Sequence, residues 1–262
     1  MSRQVPRAEL VRQLRSLGVR EGEVLLVHTS FRAVRPVEGG PAGLVGALRD
    51  TLGAAGTLVM PSWTGDDDRP FDPATTPAAP DLGVVAETFR RLPGVVRSGH
   101  PFAFAAAGPS AESIVSGPLI LPPHAPGSPV ARVHEHDGRV LLLGVGHDAD
   151  TTIHLAELLA DVPYRVAHHC TIVKQGRPVR LDYGENDHCC ARFALVDAWL
   201  RERGTQSEGT VGHAHARLVP AREVVDAVVE RLQRDPLLFL HPPDASCVEC
   251  DLARSSVSAA RS

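Results

Sequence analysis

The sequence predicts an α/β fold, a three-layer α/β/α domain on a mixed sheet, and three observations predict it. The run "RVLLLGVG" (139–146) is continuously apolar, as in a strand whose two faces are both covered. Segments with apolar residues at helical spacing alternate with strand-like runs along most of the chain. "CTIVKQGRPVRLDY" (170–183) reads as a hairpin around Gln175 and Gly176.

The elements follow in order. Leu10, Val11, Leu14 and Leu17 recur at helical spacing and stop at Gly18, a helix C-terminal residue. "EVLLVHTSF" (23–31) is a buried strand that ends in polar groups, "GGPAGLVGALRDTLGAAG" a helix between glycines, and "TLVMPSW" (57–63) the second strand. "TGDDDRPFDPATTPAAPD" lacks any apolar period and is a long loop, a kind of segment that often carries function. "LGVVAETFRRL" is a further helix, "FAFAAAG" a short strand and "GPLILPPHAPGSP" a Pro-rich surface loop. After the hairpin, "CARFALVDAWLRER" and "REVVDAVVERLQR" are amphipathic helices, and the tail "HPPDASCVECDLARSS" lies beyond them. With no internal repeat and no clean linker, residues 1–262 are expected to form a single domain with a Cys-containing C-terminal extension from about 235.

Composition narrows the function. The 262 residues are 43% hydrophobic, enough for a sizeable core, and the formal charge of -4 comes with scattered Lys and Arg, so nucleic acid is not an expected partner. The N-terminal stretch "MSRQVPRAELVRQLRSLGV" has no apolar signal region and no run is long enough for a membrane span, which gives an expectation of a cytoplasmic protein without membrane partners. Five cysteines, an odd number gathered late in the chain, suit reduced thiols or a metal site better than a disulfide framework.

The most informative stretch is "TTIHLAELLA" (151–160), which begins a helix straight after the buried strand. Asp150 or Thr151 can cap it, and its start faces the end of the sheet where α/β folds collect ligands. The three-residue spacing sets Glu157 beside His154, where a carboxylate can fix the imidazole tautomer and stabilise an imidazolium. The alternative is a surface pair that only decorates an amphipathic helix. G-x-S-x-G, H-E-x-x-H and the P-loop are all absent, so a basic His154 would draw its proton from the substrate itself.

Five ordered blocks, "LLVHTSFRAV", "GTLVMPSW", "RSGHPFAFAAAG", "HAPGSPVARVHEHDGRVLLLGVGHDADTTIHLAE" and "EGTVGHAHARLV", resemble the aminoglycoside 3-N-acetyltransferase family, and within it the apramycin- and gentamicin-modifying type IV branch. The resemblance implies that family's α/β/α fold, which is not that of the GNAT acetyltransferases. It also implies acetyl transfer from acetyl-CoA to the 3-amino group of the 2-deoxystreptamine ring, and with it antibiotic resistance. By position, His154 matches the expected general base and Glu157 the residue that orients it. Thr29, Ser30 and Phe31 match the segment that meets the pantetheine and thioester end of CoA, and Ser98, His100 and Ser128 fall in blocks that line the same cleft. Arg32 and Arg35 are candidates for the CoA phosphates or else ordinary solvated arginines, and Thr151 either contacts a ligand or caps its helix.

A polycationic antibiotic calls for carboxylates. "GDDD" and "YGENDH" supply them, with Asp67, Tyr183, Glu185 and Asp187 the expected substrate residues, Asp66 and Asp68 more ordinary solvated charges, and Trp63 a ring for a sugar or a piece of core. The C-x-x-C of Cys247 and Cys250, taken with His188 and Cys190 of "DHCC", points to a structural zinc site. Cys189, or "HHC" at 168–170 with Cys170, is an alternative source of ligands, and free cysteines are the plain alternative. The sequence thus predicts direct transfer in a ternary complex, in a monomer or homodimer. The competing readings are an acetyl-CoA-dependent enzyme acting on another amine in a biosynthetic pathway, and a non-catalytic CoA- or metal-binding module.

Overall fold

The structure, a computed structural model, describes residues 4–259. Its helices are α1 (Arg7–Leu17), α2 (Phe31–Val34), α3 (Gly40–Leu52), α4 (Gly83–Arg90), α5 (Ala111–Val115), α6 (Pro129–Glu135), α7 (Thr152–Leu159), α8 (Leu195–Glu202), α9 (Ala221–Leu232) and α10 (Val248–Ala259). Its strands are β1 (Val24–Thr29), β2 (Thr57–Pro61), β3 (Val96–Arg97), β4 (Phe104–Ala107), β5 (Arg139–Leu143), β6 (Val166–Lys174), β7 (Arg177–Glu185), β8 (Ser207–Val211) and β9 (Ala214–Pro220).

Seven strands form one mixed sheet in the order β3-β4-β2-β1-β5-β9-β8, with β1 parallel to both β2 and β5 and the outer pairings antiparallel. Period-2 alternation sends Val24, Leu26, Val140 and Leu142 to one face, and Leu25, Val27, Leu141 and Leu143 to the other. Each face has its own core. Leu10, Leu14, Leu44, Leu48 and Phe89 of α1, α3 and α4 cover one, while Ile153, Ala156, Val196, Leu200, Val224 and Val228 of α7, α8 and α9 cover the other. This is the predicted three-layer arrangement, and the continuous apolar run of β5 lies between the two cores.

The predicted hairpin is β6–β7, a separate two-stranded sheet whose turn places Gln175 and Gly176 at φ 53° and 74°, the left-handed pair that the right-handed strand twist favours. The β8–β9 hairpin was not read from the sequence: Ala214, Ala216 and Leu218 alternate inward, but alanine and glycine have low strand propensity. Nor was α10, whose residues 248–257 bury only Cys250 and Ala253 and so carry little apolar periodicity.

Gly144, just after β5, must be glycine. Its φ is 73°, and a Cβ there would lie 2.6 Å from that of Ala33. The tight exit lets the chain cross beneath α2 and present residues 145–151 to the carboxyl ends of the parallel strands.

Candidate active site

All three parallel strands end at one cleft. His28 and Thr29 come from the end of β1, Pro61 and Trp63 from the end of β2, and Val145, Asp150, Thr151 and His154 from the segment after β5, enclosing a cavity of about 300 Å³ closed by Cys190 and Phe193. A second groove of about 540 Å³, lined by Ser30, Phe31, Arg32, Arg35 and Val84, shares Thr29, Asp81 and Val145 with the cleft. The two therefore adjoin across these residues. A further cavity, about 680 Å³, lies on the far side against Arg7, Arg49 and Asp50 and is lined by neither a histidine nor a cysteine.

Glu157 is fully buried and accepts four hydrogen bonds. Tyr164 Oη (2.6 Å) and His188 Nε2 (2.8 Å) donate to its Oε1, and His154 Nδ1 (2.9 Å) and Asn186 Nδ2 (3.0 Å) donate to its Oε2. A buried carboxylate needs this degree of satisfaction. Burial raises its pKa, but the hydrogen bonds from His154 and His188 reverse the effect and hold it at about 2, so Glu157 remains an anion.

The Glu157 contact keeps the proton of His154 on Nδ1 and leaves Nε2 facing the cleft. That nitrogen lies 3.6 Å from Cys190 Sγ. Burial lowers the His154 pKa, yet the Cys190 sulfur and the Glu157 carboxylate outweigh it, and the imidazole is left well above its ordinary value. Phe193 meets the His154 ring edge-on at 5.0 Å between centroids, and His124 stacks on it at 5.1 Å. His124 is buried and both of its ring nitrogens lack a hydrogen-bond partner, the nearest carboxylate oxygen being that of Glu185 at 3.7 Å. Its pKa is lowered, chiefly by burial. Sequence reasoning placed His124 in a surface loop because the Pro-rich composition of "LPPHAPG" gives no burial signal. The chain context likewise gave no sign that Cys190 would face His154.

The acidic residues expected to meet substrate lie at the open end of β6–β7. Asp187 is 3.0 Å from His168 Nε2, and Tyr183 stacks on the same imidazole with its centroid at 6.2 Å. The Asp67 carboxyl is raised by burial despite the neighbouring His169 and His168, whereas Glu185 is held low, burial notwithstanding, by His124. Asp66 and Asp68 are exposed at their side chains and pair with Arg69 and His169. Trp63 lines the cleft and packs edge-on against Phe104.

Thr29 stands at the junction of cleft and groove with a buried hydroxyl that has no partner. Arg32 and Arg35 line the groove as exposed side chains. Ser98 and Ser128 line neither the cleft nor the groove. The Ser98 hydroxyl accepts from Phe104 N–H at 3.0 Å, and that of Ser128 caps α6 by accepting from Ala131 N–H at 3.2 Å. His100 is buried, which holds its pKa down at about 4. Thr151 does not cap α7. Asp150 bonds the Thr152 N–H instead, and the Thr151 hydroxyl lies 3.3 Å from His28 Nε2.

The expected metal ligands are sorted differently. His188 spends Nε2 on Glu157 and accepts the Cys190 N–H at Nδ1 (3.1 Å), so neither nitrogen has a lone pair to give a metal. Cys190 turns toward His154. Cys247 and Cys250 gather instead with Cys189 and His241, which the sequence reading had not joined to them because His241 lies 52 residues from Cys189.

Comparison with known proteins gives a consistent picture. The sequence model of the aminoglycoside 3-N-acetyltransferase family matches residues 26–233. The chain is 67% identical over 238 residues to the aminoglycoside N(3)-acetyltransferase IV of a Salmonella species, covering 91% of each. Among solved structures, it matches the H154A mutant of aminoglycoside acetyltransferase AAC(3)-IVa in complex with a gentamicin (TM-score 0.96, 66% identity, 98% of this chain and 99% of that one). The apramycin complex of that mutant matches with a TM-score of 0.90 at 64% identity, covering 95% of this chain and 100% of that one. AAC-IIIb, solved as a binary complex with CoASH, matches with a TM-score of 0.80 at 29% identity over 88% of this chain and 97% of that one.

Proposed function

The chain belongs to the aminoglycoside 3-N-acetyltransferase family, and from that premise we propose that His154 is the general base of its reaction, with Glu157 as the group that orients it. The enzyme transfers an acetyl group from acetyl-CoA to the 3-amino group of the 2-deoxystreptamine ring of aminoglycosides, a modification that confers resistance. The observation that carries the proposal is the Glu157–His154 contact, which leaves Nε2 open to the cleft. In AAC(3)-IVa, the mutant crystallised with gentamicin and apramycin is altered at a histidine of the same number.

On this reading, CoA lies along the groove with its phosphates toward Arg32 and Arg35, and its thioester reaches Thr29, Ser30 and Phe31. The aminoglycoside enters past Trp63 with its ammonium groups toward Asp67, Tyr183, Glu185 and Asp187. Its unprotonated 3-amino group attacks the thioester carbonyl, and Nε2 of His154 takes a proton as the N–C bond forms. The unpartnered Thr29 hydroxyl is suited to donate to the oxyanion. When the C–S bond breaks, the imidazolium returns that proton to the CoA thiolate. Bound ammonium groups lower the His154 pKa, so the polycation itself favours the neutral base that Cys190 and Glu157 disfavour. Use of acetyl-CoA fits a cytoplasmic site of action.

One observation favours a second reading: Cys190 Sγ lies beside Nε2 and could accept the acetyl group first. Direct transfer is the better account, because the adjoining cleft and groove leave room for donor and acceptor side by side. Thiol release from acetyl-CoA with apramycin or gentamicin tests the base: robust release that collapses in folded His154→Ala supports it, and undiminished release sinks it. Mass spectrometry of enzyme quenched after acetyl-CoA alone decides between routes, since an acetylated Cys190 would overturn direct transfer.

A further inference from the structure

Four potential metal ligands meet where the C-terminal tail reaches the active-site wall. The donor atoms of Cys189, His241, Cys247 and Cys250 all lie within 4.8 Å of one another. Cys189 Sγ is 3.7 Å from Cys250 Sγ and 3.6 Å from His241 Nδ1. Tetrahedral zinc, with Zn–S of about 2.3 Å and Zn–N of about 2.0–2.1 Å, sets S···S near ~3.8 Å and S···N near ~3.5 Å. The observed separations match those edges, and they are far too long for a disulfide. Three thiols and an imidazole are soft donors that select zinc over magnesium or calcium.

Apart from the Arg165 N–H bond to Ser256 Oγ and the Arg254 bond to the His241 carbonyl, little holds the tail in place. Of residues 248–257 only Cys250 and Ala253 are buried, while Val248 and Leu252 are exposed. Apolar burial on that scale does not offset the backbone entropy of holding a helix. A metal bound by two residues at its start would.

We propose that Cys189, His241, Cys247 and Cys250 form a structural zinc site that fixes residues 188–190 against the catalytic pair. Three consecutive side chains have three separate tasks. His188 donates to Glu157 at 2.8 Å, Cys189 joins the metal, and Cys190 meets His154 Nε2 at 3.6 Å. Cys190 has a φ of 56°, a left-handed conformation that is uncommon for a residue other than glycine. Anchoring Cys189 helps to hold it there. The positioning role rests on His154 as the base, whereas the metal site does not.

Elemental analysis of the purified enzyme, with cobalt substitution to read thiolate coordination spectroscopically, tests the site. One zinc per chain and a tetrahedral cobalt–thiolate spectrum are expected. Cys247→Ser should lose both, Cys247→His should keep zinc, and Cys170→Ala, a thiol outside the cluster, should leave the metal content unchanged. Positioning predicts that folded Cys247→Ser loses about tenfold or more in kcat/KM, with the acidic limb of its pH profile moved to lower pH and both effects reversed in Cys247→His. Wild-type enzyme without zinc, or zinc retained in Cys247→Ser, overturns the site. Zinc loss with an unchanged pH profile overturns the positioning role. Zinc bound as predicted in an enzyme that acetylates no aminoglycoside would count against the functional reading while upholding the metal site.

Discussion

The hydroxyl of Tyr164 donates a 2.6 Å hydrogen bond to Oε1 of Glu157, the same oxygen that accepts from His188. With its other oxygen taken by His154 and Asn186, the carboxylate has no free acceptor site and no freedom to rotate. Rigidity of that kind keeps the His154 ring in one orientation throughout a proton transfer.

Glu157→Gln should therefore damage both stability and turnover. The amide places two hydrogens where donors already point, which costs about 1–3 kcal/mol in a buried site, and the His154 tautomer loses its anchor. The sign with pH is definite. Glu157 has a folded pKa of about 2 against an ordinary 4.5, so its stabilisation is fully present above pH 4.5 and is lost as pH falls toward 2. Urea titrations across that range should show wild type losing its advantage over Glu157→Gln on acidification. An unchanged gap would refute the assignment.

Cys190→Ala removes the sulfur that helps raise the His154 pKa. A raised pKa keeps the base protonated to higher pH, so kcat/KM of the wild type should rise along an acidic limb above the ordinary histidine range near 6.5. In Cys190→Ala that limb should move to lower pH while turnover persists at alkaline pH. Complete loss of activity at every pH would point to Cys190 as an acyl carrier instead.

Glu185→Gln and Asp187→Asn should raise KM for apramycin and gentamicin and leave KM for acetyl-CoA unchanged. On the proposed reading each removes a carboxylate facing a substrate ammonium, on the order of a tenfold weakening if the contact is desolvated. Steady-state kinetics with each substrate varied in turn would check this, and an equal effect on both KM values would remove these residues from the acceptor site.

Arg32→Ala and Arg35→Ala should do the opposite, raising KM for acetyl-CoA alone. Because both side chains are exposed, the effect should be modest and shrink with added salt. Salt-insensitive kinetics in both variants would argue against a phosphate contact.

How legible the molecule was depended on the distance along the chain over which each feature is decided. His154 and Glu157 are three residues apart on one helix, so their pairing followed from helical geometry. The hairpin at Gln175 and Gly176 followed from turn chemistry, and the double-faced strand β5 from its unbroken apolar run. Resemblance to a family carried the cofactor and substrate. The β8–β9 hairpin and α10 were missed because their burial depends on partners rather than on a strong local pattern.

The sequence by itself determined the periodicities, the glycine turns and the local His154–Glu157 pair, since each is set by backbone geometry within a few residues. Tertiary structure alone decided that His188 and Asn186 would complete the Glu157 cage, that His124 would be buried against His154, and that Cys189 rather than Cys190 would join His241 and the tail cysteines. The physical reason is that these contacts join residues 29 to 61 positions apart. Which neighbours meet across such separations is set by how the layers pack, and in "DHCC" three adjacent side chains leave the backbone in directions that no local rule specifies.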